Sequence, residues 1–107
     1  MNVIVTADYA AVSRAAADYV ADFVRAKPDA VLVFPTGNTP LGLYQELAAR
    51  RQAGTFDGTR LQVFLLDEYW GITADDPRSL YAWLVQSCLE PLGIPTQNVV
   101  RLPTQTA

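Results

Sequence analysis

Two apolar runs, AVLVF at residues 30–34 and LQVFLL at 61–66, are each too short for an ordinary helix, and a segment of helical period separates them. Runs of this kind mark strands covered on both faces, and two parallel strands need a crossover of a dozen residues or more. Between the runs, Leu41, Tyr44, Leu47 and Ala48 recur at helical spacing. Thr39 stands ready as a cap, Pro40 fits the first helical position, and Arg50, Arg51 and Gly54 end the segment. The strand–helix–strand unit therefore predicts a parallel pair joined by a right-handed crossover.

The same alternation extends both ways. Residues 2–6 form a β-branched run that predicts a first strand, and Asp8 caps a helix carrying Val12, Ala16, Tyr19, Val20, Phe23 and Val24 on its apolar positions. Lys27, Pro28 and Asp29 punctuate before residue 30. Residues 79–89 carry Leu80, Trp83, Leu84 and Cys88 at helical spacing, Gly93 and Pro95 close that helix, and residues 99–102 begin another strand. The expected fold is α/β: an open, Rossmann-like parallel sheet with helices on both faces, residues 1–107 belonging to one domain. No internal repeat or linker interrupts it. A last strand at 99–102 would leave an unpaired apolar edge, so the fold reads as incomplete.

Charge narrows the partners. Only eight Lys and Arg are scattered through 107 residues of net charge −3, so neither a nucleic acid nor an anionic membrane surface is expected, and a small soluble ligand is. No window approaches the roughly 18 apolar residues of a spanning helix, and the amino end lacks a basic leader, which predicts a cytoplasmic protein. The chain has no histidine and one cysteine, Cys88, in an apolar segment. No zinc site and no intrachain disulfide are expected, and Cys88 reads as a buried structural thiol. A magnesium site would have to draw on Asp67, Glu68, Asp75 and Asp76.

Both apolar runs break abruptly, into FPTGNTP at 34–40 and LLDEYWG at 65–71. In open parallel sheets ligands bind beyond the carboxyl ends of the strands, where both breaks fall. The first lies between a strand and a helix amino terminus, whose free N–H groups favour an anion, and Gly37 lets a ligand approach the backbone. The same residues also build ordinary tight turns. Neither a P-loop nor a G-x-G-x-x-G fingerprint is present. In the second break Asp67 follows core-type residues, and a partly buried carboxylate there would have a raised pKa suited to a general base; a solvated loop start is the alternative. Glu68 should project to the opposite side of an extended chain. Tyr69, Trp70 and Tyr81 are read as packing residues, with sugar stacking the alternative.

In this order, PTGNTPLGLYQEL, FLLDEYWGI, DPRSLYAWL and GIPTQNVVRL resemble the amino-terminal part of the glucosamine-6-phosphate deaminase (isomerase) family, over essentially the whole chain. The related 6-phosphogluconolactonases share the fold and a similar turn but follow their aspartate with Glu-Arg, so Glu68-Tyr69 favours the deaminases. The resemblance implies an aldose-ketose isomerase and deaminase that turns glucosamine 6-phosphate into fructose 6-phosphate and ammonia. It implies Asp67 as the proton-transfer base, with Thr36, Gly37, Asn38, Thr39, Glu68 and Tyr69 around the substrate, and neither a metal nor an organic cofactor. The chain departs from the family at Leu80, where a tyrosine is usual, and in having no histidine. The family chain is more than twice as long, and its later half supplies a histidine, carboxylates and phosphate-binding bases. The expectation is therefore an amino-terminal part that needs its carboxy-terminal half or a homo-oligomeric partner. A lactonase and a non-catalytic sugar-phosphate-binding module are the alternatives.

Overall fold

The computed structural model describes residues 3–73 and 75–103. Helix α1, Tyr9–Ala26, starts at Asp8, whose carboxylate accepts from the Ala11 amide at 2.8 Å and so satisfies a donor that the helix cannot. Strand β1, Val31–Phe34, leads into α2, Asn38–Gln52, and then β2, Gln62–Leu65. From Leu80 the chain is helical to Leu92, through α3 (Leu80–Leu84), a π-helical segment (Val85–Leu89) and α4 (Glu90–Leu92). A 3-10 turn at Thr96–Asn98 delivers β3, Val99–Val100.

The three strands are parallel and ordered β1-β2-β3, with Phe34 paired to Leu65 and Val100 to Phe64. This is the open parallel α/β sheet that the alternating pattern predicts. Strand periodicity sorts its residues: Phe34, Val63 and Leu65 are buried on one face, whereas Val31, Val33 and Phe64 are exposed on the other. Helices α1, α2 and the 80–92 helix share one core with the buried face, built on Tyr44, Leu47, Leu61, Leu84, Leu89 and Leu92. Among the described residues the expected helices on both faces are thus found on one face alone. An apolar run reports that a strand belongs between two layers, but not whether both layers are supplied by the same stretch of chain.

The expected first strand is not formed. Residues 3–6 are irregular, Val3, Ile4 and Val5 are 74%, 71% and 89% exposed, and Asn2 lies outside the described residues. A strand exists only through its ladder, and no described strand pairs with this segment, which also leaves the Thr6 hydroxyl buried without a partner. The helix predicted at 79–89 runs three residues further. Pro91 sits inside it, and a mid-helix proline removes a donor and presses its ring on the preceding turn. The chain accommodates this by widening, the Glu90 amide reaching five residues back to Val85. Cys88 is fully buried, as expected of a structural thiol, and burial pushes its thiol far above the ordinary range.

Candidate functional site

The register that pairs Phe34 with Leu65 sets the exits of β1 and β2 side by side, so the 35–39 turn and Asp67 leave the sheet from the same edge. The cap of α2 is Gly37, two residues before the expected Thr39. Its φ of 112° and ψ of −179° fall in a region essentially reserved for glycine. No side chain caps this helix, Pro40 has no N–H to offer, and nothing lies within 4 Å of where a Gly37 side chain would begin. The first-turn amides, lacking partners inside the helix, therefore meet open space at the positive end of the dipole.

Two tyrosines brace this turn. The Tyr44 hydroxyl donates to the Pro35 carbonyl, and its ring is fixed between Phe34 and Trp83 at centroid distances of 5.5 and 6.4 Å. Burial pushes the Tyr44 phenol well above its ordinary range, so it stays a donor. From α1, the Tyr9 hydroxyl accepts from the Gly42 amide at 2.8 Å and donates to the Asn38 carbonyl at 2.7 Å, with the Thr39 carbonyl at 3.3 Å. Gly42 makes this approach possible, because a Cβ there would overlap the Ser13 hydroxyl and stand 2.8 Å from the Tyr9 ring. Sequence reasoning missed Tyr9. The available signal was a glycine inside a helical pattern, which marks a close approach.

Asp67 is exposed, which corrects the expected semi-buried carboxylate. The cause is geometric: β2 ends at Leu65, and no described cavity encloses both the turn and Asp67. Glu68 is engaged instead in local structure. Its Oε1 accepts from the amides of Tyr69 at 2.9 Å and Leu80 at 2.8 Å, and its Oε2 from Tyr81 at 3.0 Å. Partial burial pulls its carboxyl upward, but these amides outweigh that and hold it below the ordinary carboxylate range. Both oxygens face backbone donors, so Glu68 fastens the loop to the start of α3, where the Ser79 hydroxyl also accepts from the Ala82 amide.

The remaining candidates lie around that loop. Tyr69 and Trp70, both exposed, line an open hollow of about 510 Å³ with Gly71, Ile72, Thr73, Asp76 and Arg78, apart from the glycine turn. Arg78 grips Asp76 through its guanidinium and its amide, holding that carboxyl at about 2. Tyr81 packs at the core rim under the Arg101 guanidinium, 3.9 Å from its ring centroid. Among the described residues, no three of His, Cys, Asp or Glu gather to hold a metal ion, so Asp67, Glu68, Asp75 and Asp76 do not assemble the magnesium set. No described helix is long and apolar enough to cross a membrane.

Known proteins resemble this chain in sequence and fold. The sequence profile of the family described as glucosamine-6-phosphate isomerases/6-phosphogluconolactonase matches residues 6–107. A glucosamine-6-phosphate deaminase of Streptomyces coelicolor is 40% identical over 94 residues, covering 88% of this chain and 36% of the relative. That of Cutibacterium acnes is 43% identical over 99 residues, covering 92% and 38%. The chain spans 36–41% of the length of the curated relatives it matches. A monomeric glucosamine-6-phosphate deaminase of the NagB superfamily superposes with a TM-score of 0.91 at 29% identity, over 99% of this chain and 44% of that one. The 6-phosphogluconolactonase of Leishmania guyanensis superposes at 0.72 and 24% identity, over 94% and 38%, a likeness of fold alone.

Proposed function

Because the chain belongs to the glucosamine-6-phosphate isomerase and 6-phosphogluconolactonase family, we propose that it forms the substrate-loop and proton-transfer part of a glucosamine-6-phosphate deaminase. The observation that carries this reading is the β1–β2 register, which brings a helix start without a side-chain cap and a free carboxylate to one edge of the sheet. The first-turn amides of α2, around Gly37, Asn38 and Thr39, receive an anionic or hydroxylated part of the sugar. Asp67, the next side chain along the same edge, acts as the base.

The chemistry needs one carboxylate. Asp67 removes the C2 proton of the open-chain aldehyde, whose carbonyl takes up the electron pair as an enolamine. Return of the proton to C1 leaves an imine at C2, water adds there, and ammonia departs to give fructose 6-phosphate. Orientation does much of this work, since a base held against its carbon replaces a bimolecular encounter. Asp67 is exposed here, so we expect the rest of the intact protein to close over it and exclude water from the reacting carbon. Glu68 and Tyr69 serve the site by fixing the backbone beside Asp67, and no cofactor is required. Phosphorylated substrates do not cross membranes freely, and we place the reaction in the cytoplasm.

Ammonia release from glucosamine 6-phosphate by the full-length protein tests this, with 6-phosphogluconolactone hydrolysis measured in parallel. Turnover of the lactone alone would replace the reading by a lactonase. Hexose phosphate binding without either reaction would replace it by a binding module.

A further inference from the structure

Resting on the reading of the 36–39 turn as a sugar-phosphate cradle, we propose that Tyr9 is a positioning residue that aims the cradle's Thr39 amide, its hydroxyl standing between the Asn38 carbonyl and the Gly42 amide. In a helix capped at Gly37, the Gly42 N–H faces the Asn38 carbonyl four residues back and forms one of the first rungs. The Tyr9 oxygen lies against both groups, accepting at 2.8 Å from Gly42 and donating at 2.7 Å to Asn38. Both ends of this first rung are thus also held by one oxygen supplied by another helix.

The Asn38 carbonyl and the Thr39 N–H belong to a single planar trans peptide, so they point in opposite directions. A donor that grips the carbonyl from the α1 side therefore turns the Thr39 N–H away from α1. Thr39 is one of the donors left free in the first turn of α2, and Pro40 after it supplies none. Three features match this arrangement. Asp8 caps α1 directly before Tyr9 and fixes where its side chain starts. Gly42 lacks the Cβ that would stand 2.9 Å from the Tyr9 hydroxyl. Finally, the bridge links residues 29 and 33 positions apart, so it is a tertiary device and not part of the local turn.

The test uses Tyr9→Phe in the full-length protein, which keeps the ring and removes the bridging oxygen. Tyr9→Phe should raise KM for glucosamine 6-phosphate about tenfold and leave kcat within about twofold, because a misdirected amide weakens binding without touching the base. An unchanged KM accompanied by a lower thermal midpoint would reduce Tyr9 to a structural stitch and overturn the proposal. If wild-type protein releases no ammonia, the functional reading fails separately, and inorganic phosphate titrated against the Thr39 amide resonance decides. Binding about tenfold weaker in Tyr9→Phe upholds the positioning role; equal binding, or no response of Thr39, rejects it. Should Tyr9→Phe be too unstable to assay, fluorotyrosine at position 9 alters only the hydroxyl's hydrogen bonding. A shifted KM or phosphate affinity supports the role, and an unchanged one refutes it.

Discussion

Oε1 of Glu68 lies 2.8 Å from the amide nitrogen of Leu80, twelve residues further along the chain. That bond, with the Tyr81 amide on the other oxygen, closes the loop that follows β2 onto the start of α3. Arg101, just beyond β3, stacks over the ring of Tyr81. The segments leaving β2 and β3 are in this way tied to one helix start, and Asp67 sits at the root of the tie.

The tie responds to acid in a defined sense. The folded pKa of Glu68 is depressed, so the stability it contributes is complete above the ordinary value of about 4.3 and is lost as pH falls through the lower folded value. The Leu80 and Tyr81 amide resonances should titrate with a midpoint below about 4.3, and Glu68→Gln should abolish that titration. A midpoint at or above the ordinary value contradicts the assignment.

Gly37→Ala meets no steric obstacle, since nothing lies within 4 Å of the added carbon. Its cost is conformational: at φ 112° a side chain strains the backbone by about 1–3 kcal/mol. Chemical denaturation should show that loss, or else the turn should move and sugar-phosphate binding weaken by at least tenfold. Unchanged stability together with unchanged affinity would show that the turn does not need this backbone.

Gly42→Ala fails for the opposite reason. Its Cβ overlaps the Ser13 hydroxyl, and overpacking of this kind costs about 1–3 kcal/mol. Ser13→Ala removes the offending oxygen, so the double variant should be more stable than the sum of the two single losses. Strict additivity in urea denaturation would mean that α1 and α2 do not approach as described.

Asp67→Asn in the full-length protein should reduce ammonia release by at least a thousandfold while leaving glucosamine 6-phosphate binding, measured by calorimetry, within about threefold. The amide keeps the shape of the carboxylate and loses its basicity. Residual turnover near the wild-type rate would assign the proton transfer to another group.

Much of the frame was legible in the sequence. Asp8 as a cap, the β1-α2-β2 unit, the helix beginning near Ser79 and the buried Cys88 all follow from short-range periodicity and capping chemistry. The 2–6 run carries the same β-branched signal as β1 yet forms no strand among the described residues, because a ladder is a property of two segments. Thr39 resembled the better cap, but the left-handed-side backbone at Gly37 starts the helix two residues sooner.

What the sequence determined alone is the order of parallel strands and crossovers, and with it the placement of a glycine turn and a carboxylate at neighbouring strand ends. Those depend on periods of two and 3.6 residues and on turn chemistry, which act within a few positions. Tertiary structure decided that Glu68 is spent on the amides of Leu80 and Tyr81, that Tyr9 enters the first turn of α2, and that Asp67 stands exposed. Each of these is set by which distant groups arrive within hydrogen-bonding or covering distance, a quantity that no local pattern encodes.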